Sequence, residues 1–267
     1  MYKHHFALNR YPFEPSLPSD QLFQSQSQQE ALMRLGQLRQ ARGGIGLLTG
    51  EPGCGKSTVC RQLFAGLHSG EYRPRYVSLT TGSILDLYQV IAQAFGVPPA
   101  RHRAQAFLSL REEFSVQHRE ARQLSILVID EAHYLRTEAL EEMRLITNFQ
   151  MDSEYRLCLI LVGQTELRAR LEMNVFESLR QRITARCHIG SLEAEEIPRY
   201  LEHRLRLAGA EIPLFPANAI EAIAQASNGV PRRIDRIAHL ALSAAAIEQH
   251  DQVQLEDVQN AILDIQS

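Results

Sequence analysis

The sequence has no tryptophan and only four cysteines, Cys54, Cys60, Cys158 and Cys187. Their spacing matches neither a disulfide framework nor a zinc cluster, which excludes a cysteine-stapled scaffold and points to a reducing compartment. No apolar run approaches the roughly 20 residues that cross a bilayer. The N-terminal stretch "MYKHHFALNRYPFEPSLPSDQLF" lacks the apolar segment of a secretory signal. The expectation is a cytoplasmic protein with no membrane partner. Internal repeats and low-complexity tracts are also missing. So is a large excess of either charge: 28 Lys and Arg stand against 31 Asp and Glu, a net charge of −3. Any nucleic-acid contact must therefore use a local patch.

What is present suits a globular protein of 267 residues, with 45% hydrophobic and 22% charged residues. Arginine greatly outnumbers lysine, which favours forked contacts with phosphates or carboxylates. Prolines 12, 15 and 18 lie among the aromatics Tyr11, Phe13 and Phe23, and residues 1–25 read as an extended arm with turns. An amphipathic helix, "SQQEALMRLGQLRQARG", follows. Apolar strands "IGLLTG", "SILVIDEAH" and "LCLILVGQ", with "RPRYVSLTT" and "TARCHIG", then alternate with helices. That order predicts an α/β fold with a parallel sheet covered on both faces. After Leu192 the strand signals stop, and residues 193–208, 216–228, 231–249 and 255–266 each read as a helix. The expected organisation is an N-terminal arm (1–25), a phosphate-binding core (26–191) and an all-helical lid (192–267).

The core carries "GLLTGEPGCGKSTVC". Gly50, Glu51, Pro52, Gly53, Cys54, Gly55, Lys56 and Ser57 complete the pattern G-x-x-x-x-G-K-S/T, and Thr58 continues into the helix. The pattern follows an apolar strand and opens a helix, so successive backbone N–H groups and a helix N-terminus surround the phosphates of ATP. Lys56 would bridge the β- and γ-phosphates, and Ser57 would hold Mg²⁺. Cys54, at a variable position of the loop, is expected to be replaceable, and its alkylation to block ATP.

In "ILVIDE", Asp130 ends a strand and can hold Mg²⁺, directly or through water, while Glu131 is placed to polarise the attacking water. The letters "DEAH" at Asp130–His133 also match DEAH-box helicases. Those need two tandem nucleotide folds, which this sequence does not supply, so His133 is left as a loop residue without assigned chemistry. Gln164 ends the next apolar strand, where an amide can bond both γ-phosphate and water. "FESLRQRITARCHIG" holds Arg180, Arg182 and Arg186. An arginine at a helix end on the domain edge can enter a neighbour's nucleotide site. Arg182 is the first choice and Arg186 the second. "GVPRR" places Arg232 and Arg233 at the start of a lid helix, where Arg232 can reach the γ-phosphate.

Cradle, "VIDE", strand-end amide, helix-end arginine and "GVPRR" occur in the order of AAA+ ATPases. "YPFEPSLPSDQLFQSQSQQEAL", "MRLITNF", "LILVGQTELRARL" and "NGVPRRIDRIAHLAL" resemble, more narrowly, the ExeA/GspA-type and TnsC/TniB-type branch. The resemblance implies a RecA-like sheet with a helical lid, nucleotide bound between subunits, and assembly into a homo-oligomeric ring or helical filament. In this fold the segment before the cradle often lies over adenine, so Tyr11, Phe13, Leu22 and Phe23 either pack there or fill a core. Secretion-type members usually continue into a transmembrane segment and a wall-binding part, which this sequence lacks. Transposition-type members assemble with ATP on double-stranded DNA and bring a transposase to a target, through a target-selection protein. The expected function is that of a DNA-binding AAA+ regulator of transposition; the alternative is the cytosolic ATPase module of a secretion-assembly system. In related proteins, loops after the second strand and near its following helix line a central channel. Thr80, Thr81, Arg101 and Arg103 are accordingly the expected DNA contacts, made to the backbone and not to bases.

Overall fold

The computed structural model describes residues 2–41, 43–78, 83–150 and 154–266. Five strands form one parallel sheet: β1 (Gly44–Gly50), β2 (Tyr72–Ser78), β3 (Leu124–Asp130), β4 (Leu157–Gly163) and β5 (Ile183–Ile189), in the order β2-β3-β4-β1-β5. The three inner strands are buried at every residue, as their unbroken apolar runs require when helices cover both faces. The two edge strands differ. In β5 buried and exposed positions alternate, leaving Thr184, Arg186 and His188 on an open face, and in β2 only Val77 is buried. A strand with one paired edge and one open face needs apolar residues only at every second position.

The helices are α1 (Tyr2–His5), α2 (Gln26–Gln40), α3 (Lys56–Ala65), α4 (Ile84–Phe95), α5 (Arg103–Arg119), α6 (Thr137–Ile146), α7 (Thr165–Leu171), α8 (Glu177–Arg182), α9 (Glu196–Leu207), α10 (Ala217–Ser227), α11 (Pro231–Ile247) and α12 (Leu255–Gln266). Local chemistry sets several ends. Ser83 and Asp86 form a reciprocal capping box on α4, and Gly96 closes that helix in a left-handed conformation. Pro231 starts α11, where its missing N–H costs nothing. The short α7 has no counterpart in the sequence reading, because a seven-residue helix carries too few turns to show a period, whereas α8 ends on Arg182, at the helix end expected there.

The chain divides into two compact units. One gathers Met1–Gln26, Pro52–Gly55 and Gly190–Ser267; the other holds Ser27–Glu51 and Lys56–Ile189. The sheet unit has a core drawn from Leu47, Ile91, Phe95, Leu110, Phe114, Leu127, Leu140, Met143 and Leu161. In α6, Leu140, Met143 and Ile146 are all buried, the face their spacing predicts.

The helical unit packs Leu201, Leu205, Ile223, Ile234, Ile237 and Leu242 around Tyr2, Leu8 and Phe13. Residues 1–25 are thus not wholly extended: Tyr2–His5 make a helical turn. Four residues cannot sustain a turn by propensity, so tertiary burial holds it. Tyr2 is 2% exposed and its hydroxyl meets His239 Nδ1 at 2.9 Å. Of the residues weighed for adenine or core, Phe13 is buried in this core, and Tyr11 and Phe23 pack against it. Arg204 fastens the segment further. It is buried, donates Nε to Pro12 O at 2.8 Å and Nη2 to Glu14 O at 2.8 Å, and pairs with Asp235 at 3.3 Å.

Candidate nucleotide-binding site

The carboxyl ends of β1, β3 and β4 carry a cluster of polar residues, among them Asp130, Glu131 and Gln164. Each inner strand is apolar until its last residues, and there the chain turns out of the sheet. In a parallel sheet that end is where ligands bind. At β1 the turn is tight: a Cβ on Gly50 would sit 2.5 Å from the carbonyl oxygen of Ile189, so only glycine fits. Gly53 and Gly55 have φ of 87° and 102°, the left-handed region that glycine enters without strain.

Lys56, the first residue of α3, is 9% exposed. Its ammonium donates to the carbonyl oxygens of Gly50 at 2.8 Å and Glu51 at 3.1 Å. The cation is therefore held inside the loop that its motif forms. Ser57 follows it on the exposed side of α3. Glu51 is tied to the start of α7 as well, because Thr165 donates its hydroxyl to Glu51 Oε1 at 2.6 Å.

At the end of β3, Asp130 is 5% exposed. Its Oδ1 accepts the backbone N–H of Glu131 at 2.8 Å, and its Oδ2 accepts the hydroxyl of Tyr76 from β2. Burial first, and the Asp130 contact second, push the Tyr76 phenol well above its ordinary range, so it stays a neutral donor. The nearby Ser57 hydroxyl acts on the same phenol in the opposite sense, lowering its pKa. Cys60, one turn into α3, is pushed up to about 12 by burial and then by Asp130. Sequence reasoning missed Tyr76. The available signal was its place near the carboxyl end of the second strand, but an aromatic in a strand gives no hint of a polar role.

Glu131 has φ of 57°. A non-glycine residue in this region is sparsely populated and clusters at functional sites. Its carboxylate oxygen Oε2 lies 3.5 Å from Nδ1 of His133, whose side chain is 5% exposed. Gln164 caps α7 at the end of β4, and its backbone N–H donates to the same Nδ1 at 3.4 Å.

Lys56, Ser57, Asp130, Glu131 and Gln164 thus all stand at the carboxyl edge of one sheet. These residues fit Mg²⁺ and a nucleotide: a buried lysine inside a glycine loop for phosphate, and one hydroxyl with one buried carboxylate. Mg²⁺ on a nucleotide takes few protein ligands and no closed cage. No group of three or more His, Cys, Asp or Glu able to hold a metal occurs among the described residues.

In the helical unit, the backbone N–H of Arg232 donates to Gly53 O at 3.4 Å, and a Cβ on Gly53 would meet Arg232 Cβ at 2.8 Å. The lid arginine and the tip of the glycine loop are in direct contact. Cys54 in that loop is 1% exposed.

The three arginines considered for a neighbour's site separate in space. Arg180 and Arg186 line a cleft of about 200 Å³ with Arg34, Arg168, Glu172 and His188. Both face Glu172, at 3.2 Å and 3.7 Å. Arg182, at the end of α8, instead donates to Arg144 O at 3.4 Å. Of the expected DNA contacts, Thr80 and Thr81 lie outside the described residues. Arg101 is exposed before α5, and Arg103 is ion-paired with Glu142, which also accepts the Tyr88 hydroxyl.

Residues 39–171 match the family model for an AAA domain. The General secretion pathway protein A of Aeromonas hydrophila is 35% identical over 246 residues, covering 92% of this chain and 45% of that protein. The chain thus spans about half the length of that curated relative. Among solved structures, Cdc6p from Pyrobaculum aerophilum is similar, with a TM-score of 0.73 and 19% identity over 94% of this chain and 69% of that one. The ORC1 protein of Aeropyrum pernix in complex with DNA gives 0.70 and 20%, over 96% and 69%. Identities this low show a shared fold alone. No helix among the described residues is long and apolar enough to cross a membrane.

Proposed function

We propose that this chain is an AAA+ ATPase that uses ATP to assemble on duplex DNA as a regulator of transposition, a reading supported by its AAA-domain match and its fold. One observation carries the ATPase site: Lys56, Asp130, Glu131 and Gln164 converge at one edge of the sheet around a glycine loop. The loop N–H groups and Lys56 bind and orient the phosphates. Mg²⁺, held by Ser57 and Asp130, would neutralise charge on the transferring phosphoryl group. Glu131 takes the proton of the water that attacks the γ-phosphorus as its bond to the β-phosphate oxygen breaks, leaving ADP and phosphate. Gln164 orients that water, and Arg232 is a second phosphate cation. In the assembly, Arg182 enters the neighbour's site, with Arg186 as the alternative.

The DNA reading rests on the motif resemblance described above. It is supported by a fold shared with a protein solved on DNA. Arg101 and Arg103, with Thr80 and Thr81, are the proposed phosphate contacts, repeated along a filament so that a net charge of −3 per copy is no obstacle. ATP drives assembly and recruitment of a transposase, and hydrolysis releases it. A second reading, the ATPase module of a secretion-assembly system, is favoured by the identity to General secretion pathway protein A.

Electron microscopy and fluorescence anisotropy with a slowly hydrolysed ATP analogue separate the two. Rings or filaments on labelled duplex DNA, lost as salt rises, support the first. Absence of DNA binding in every nucleotide state at low salt sinks it.

A further inference from the structure

Four arginines meet beside β5. Arg34 from α2, Arg168 from α7, Arg180 from α8 and Arg186 from β5 line one cleft of about 200 Å³. Among the described residues, Glu172 is the one acid in its wall. A cleft lined by one sign of charge concentrates the opposite sign inside it. Three of these arginines are held by each other's backbone. Arg34 Nη1 donates to Arg186 O at 2.9 Å, Arg186 Nη2 to Arg180 O at 3.1 Å, and Arg180 Nη1 to Glu172 O at 2.9 Å. Each guanidinium has five N–H groups, more than these bonds use. The forks are therefore set before a ligand arrives, and binding costs little side-chain freedom.

The nearby acids do not neutralise the cluster. Glu172, with its side chain 57% exposed, faces Arg180 at 3.2 Å and Arg186 at 3.7 Å, and Glu30 pairs with Arg34. Arg168 has no ion-pair partner among the described residues. Four cations against two carboxylates, four minus two, leave an excess of two. That excess matches a phosphate monoester, which approaches two negative charges near neutral pH, better than a nucleic-acid diester, which carries one. The cleft is smaller than the roughly 300–1,000 Å³ of sites that enclose a drug-sized ligand, so it takes a headgroup and not a whole molecule. An open depression of about 620 Å³ shares Arg34, Arg180 and Arg186 with it and adds Gln37, Gln181 and Thr184. Two amides and a hydroxyl suit the polar body of the molecule that carries the phosphate.

We propose that this cleft is an anion site other than the glycine loop, and that it binds the phosphate of a small phosphate monoester. Arg34, Arg168, Arg180 and Arg186 hold the phosphate oxygens through charge-assisted bonds. Glu172 competes with that phosphate for Arg180 and Arg186, and its exposed side chain turns outward when the phosphate binds.

The test uses the whole chain carrying Lys56→Ala, so that the glycine loop does not contribute, alone and with Arg168→Ala or Glu172→Gln added. Isothermal titration calorimetry at pH 8 gives the Kd of ribose 5-phosphate and of dimethyl phosphate. Ribose 5-phosphate is a dianion there, since the second pKa of a monoester is about 6; dimethyl phosphate is a monoanionic diester. The expected result is one ribose 5-phosphate per chain, bound about tenfold or more tighter than dimethyl phosphate. Arg168→Ala should weaken it by about tenfold. Glu172→Gln should tighten it by about threefold, because a competing carboxylate is gone. Thermal unfolding should be unchanged in Arg168→Ala, which breaks no ion pair. Equal affinity for the two probes gives the cleft to a diester such as a nucleic-acid backbone and overturns the monoester reading. The site itself is overturned if ribose 5-phosphate does not bind, if Arg168→Ala leaves its Kd unchanged, or if Glu172→Gln fails to tighten it.

Discussion

The hydroxyl of Tyr76 donates to Oδ2 of Asp130, so a side chain of an edge strand holds a carboxylate that would bind Mg²⁺. A group that orients metal ligands from behind sets affinity for the ion and leaves the chemistry to others. Tyr76→Phe should raise the Mg²⁺ concentration for half-maximal ATP hydrolysis by about tenfold. At saturating Mg²⁺, kcat should stay within about threefold of wild type. A Mg²⁺ titration of ATPase rate checks this; an unchanged midpoint means the phenol does not position the ligands.

Lys56 and Glu131 should fail in different ways. Lys56 is buried and held by Gly50 and Glu51, so its ammonium is placed before nucleotide arrives. Lys56→Ala should abolish binding of a fluorescent ATP analogue and, with it, any ATP-dependent assembly. Glu131→Gln should bind ATP as the wild type does, lower kcat by about a hundredfold or more, and form longer-lived assemblies. Equilibrium binding, turnover and light scattering on the two variants separate these outcomes.

The sheet and the glycine loop were legible because their signals are local. Buried parallel strands are apolar throughout, and the loop must be Gly-rich to place its N–H groups. The last residues of β3 and β4, Asp130, Glu131 and Gln164, stood out because a carboxylate or amide ending an apolar run has few structural reasons to be there. Tyr76 and His133 were not legible. Each meets a partner far away in sequence, Asp130 at the end of the next strand of the sheet and Gln164 just after β4, and no spacing records such a pair. The helical turn at Tyr2–His5 escaped for a related reason: residues of α9 and α11, including Arg204 and His239, hold it and its neighbours.

Arg182 and Arg186 are distinguished by mixing. Arg182→Ala subunits combined with Lys56→Ala subunits create interfaces where an intact cradle meets an intact arginine. Partial recovery of ATPase activity, absent from either variant alone, is expected for Arg182. If Arg186→Ala restores activity in the same mixture and Arg182→Ala does not, the trans role passes to the arginine in the Arg34–Arg168–Glu172 cleft. Size-exclusion chromatography of tagged mixtures shows that mixed assemblies form.

Arg204 is buried against Asp235 and two backbone carbonyls, so its loss leaves a carboxylate and two acceptors without their cation. Arg204→Met should destabilise the fold by about 3 kcal/mol. Burial raises the pKa of Asp235, while Arg204 opposes the rise; removing Arg204 raises it further. A carboxyl whose folded pKa lies above its unfolded value binds its proton more tightly when folded. Its contribution is then greatest at low pH and is lost as pH rises through the folded pKa. The stability deficit of Arg204→Met should therefore be larger at pH 8 than at pH 5, as measured by urea unfolding at both.

All four cysteines are buried in the folded chain. Burial pushes Cys60 and Cys158 up to about 12, with Asp130 adding to the effect at Cys60, and Cys187 up to about 11. The thiolate is the reactive form, and at pH 8 a thiol with a pKa near 12 carries roughly one thiolate in ten thousand. The expectation that alkylation of Cys54 blocks ATP thus meets an obstacle in its 1% exposure: the reagent must first reach it. Iodoacetamide at pH 8 should label none of the four within minutes in the native protein and all four in guanidinium, read by intact mass. Rapid native labelling of Cys54 alone would mean that the loop at Pro52–Gly55 opens on that timescale. ATP should then slow the reaction, which a labelling time course with and without nucleotide would show.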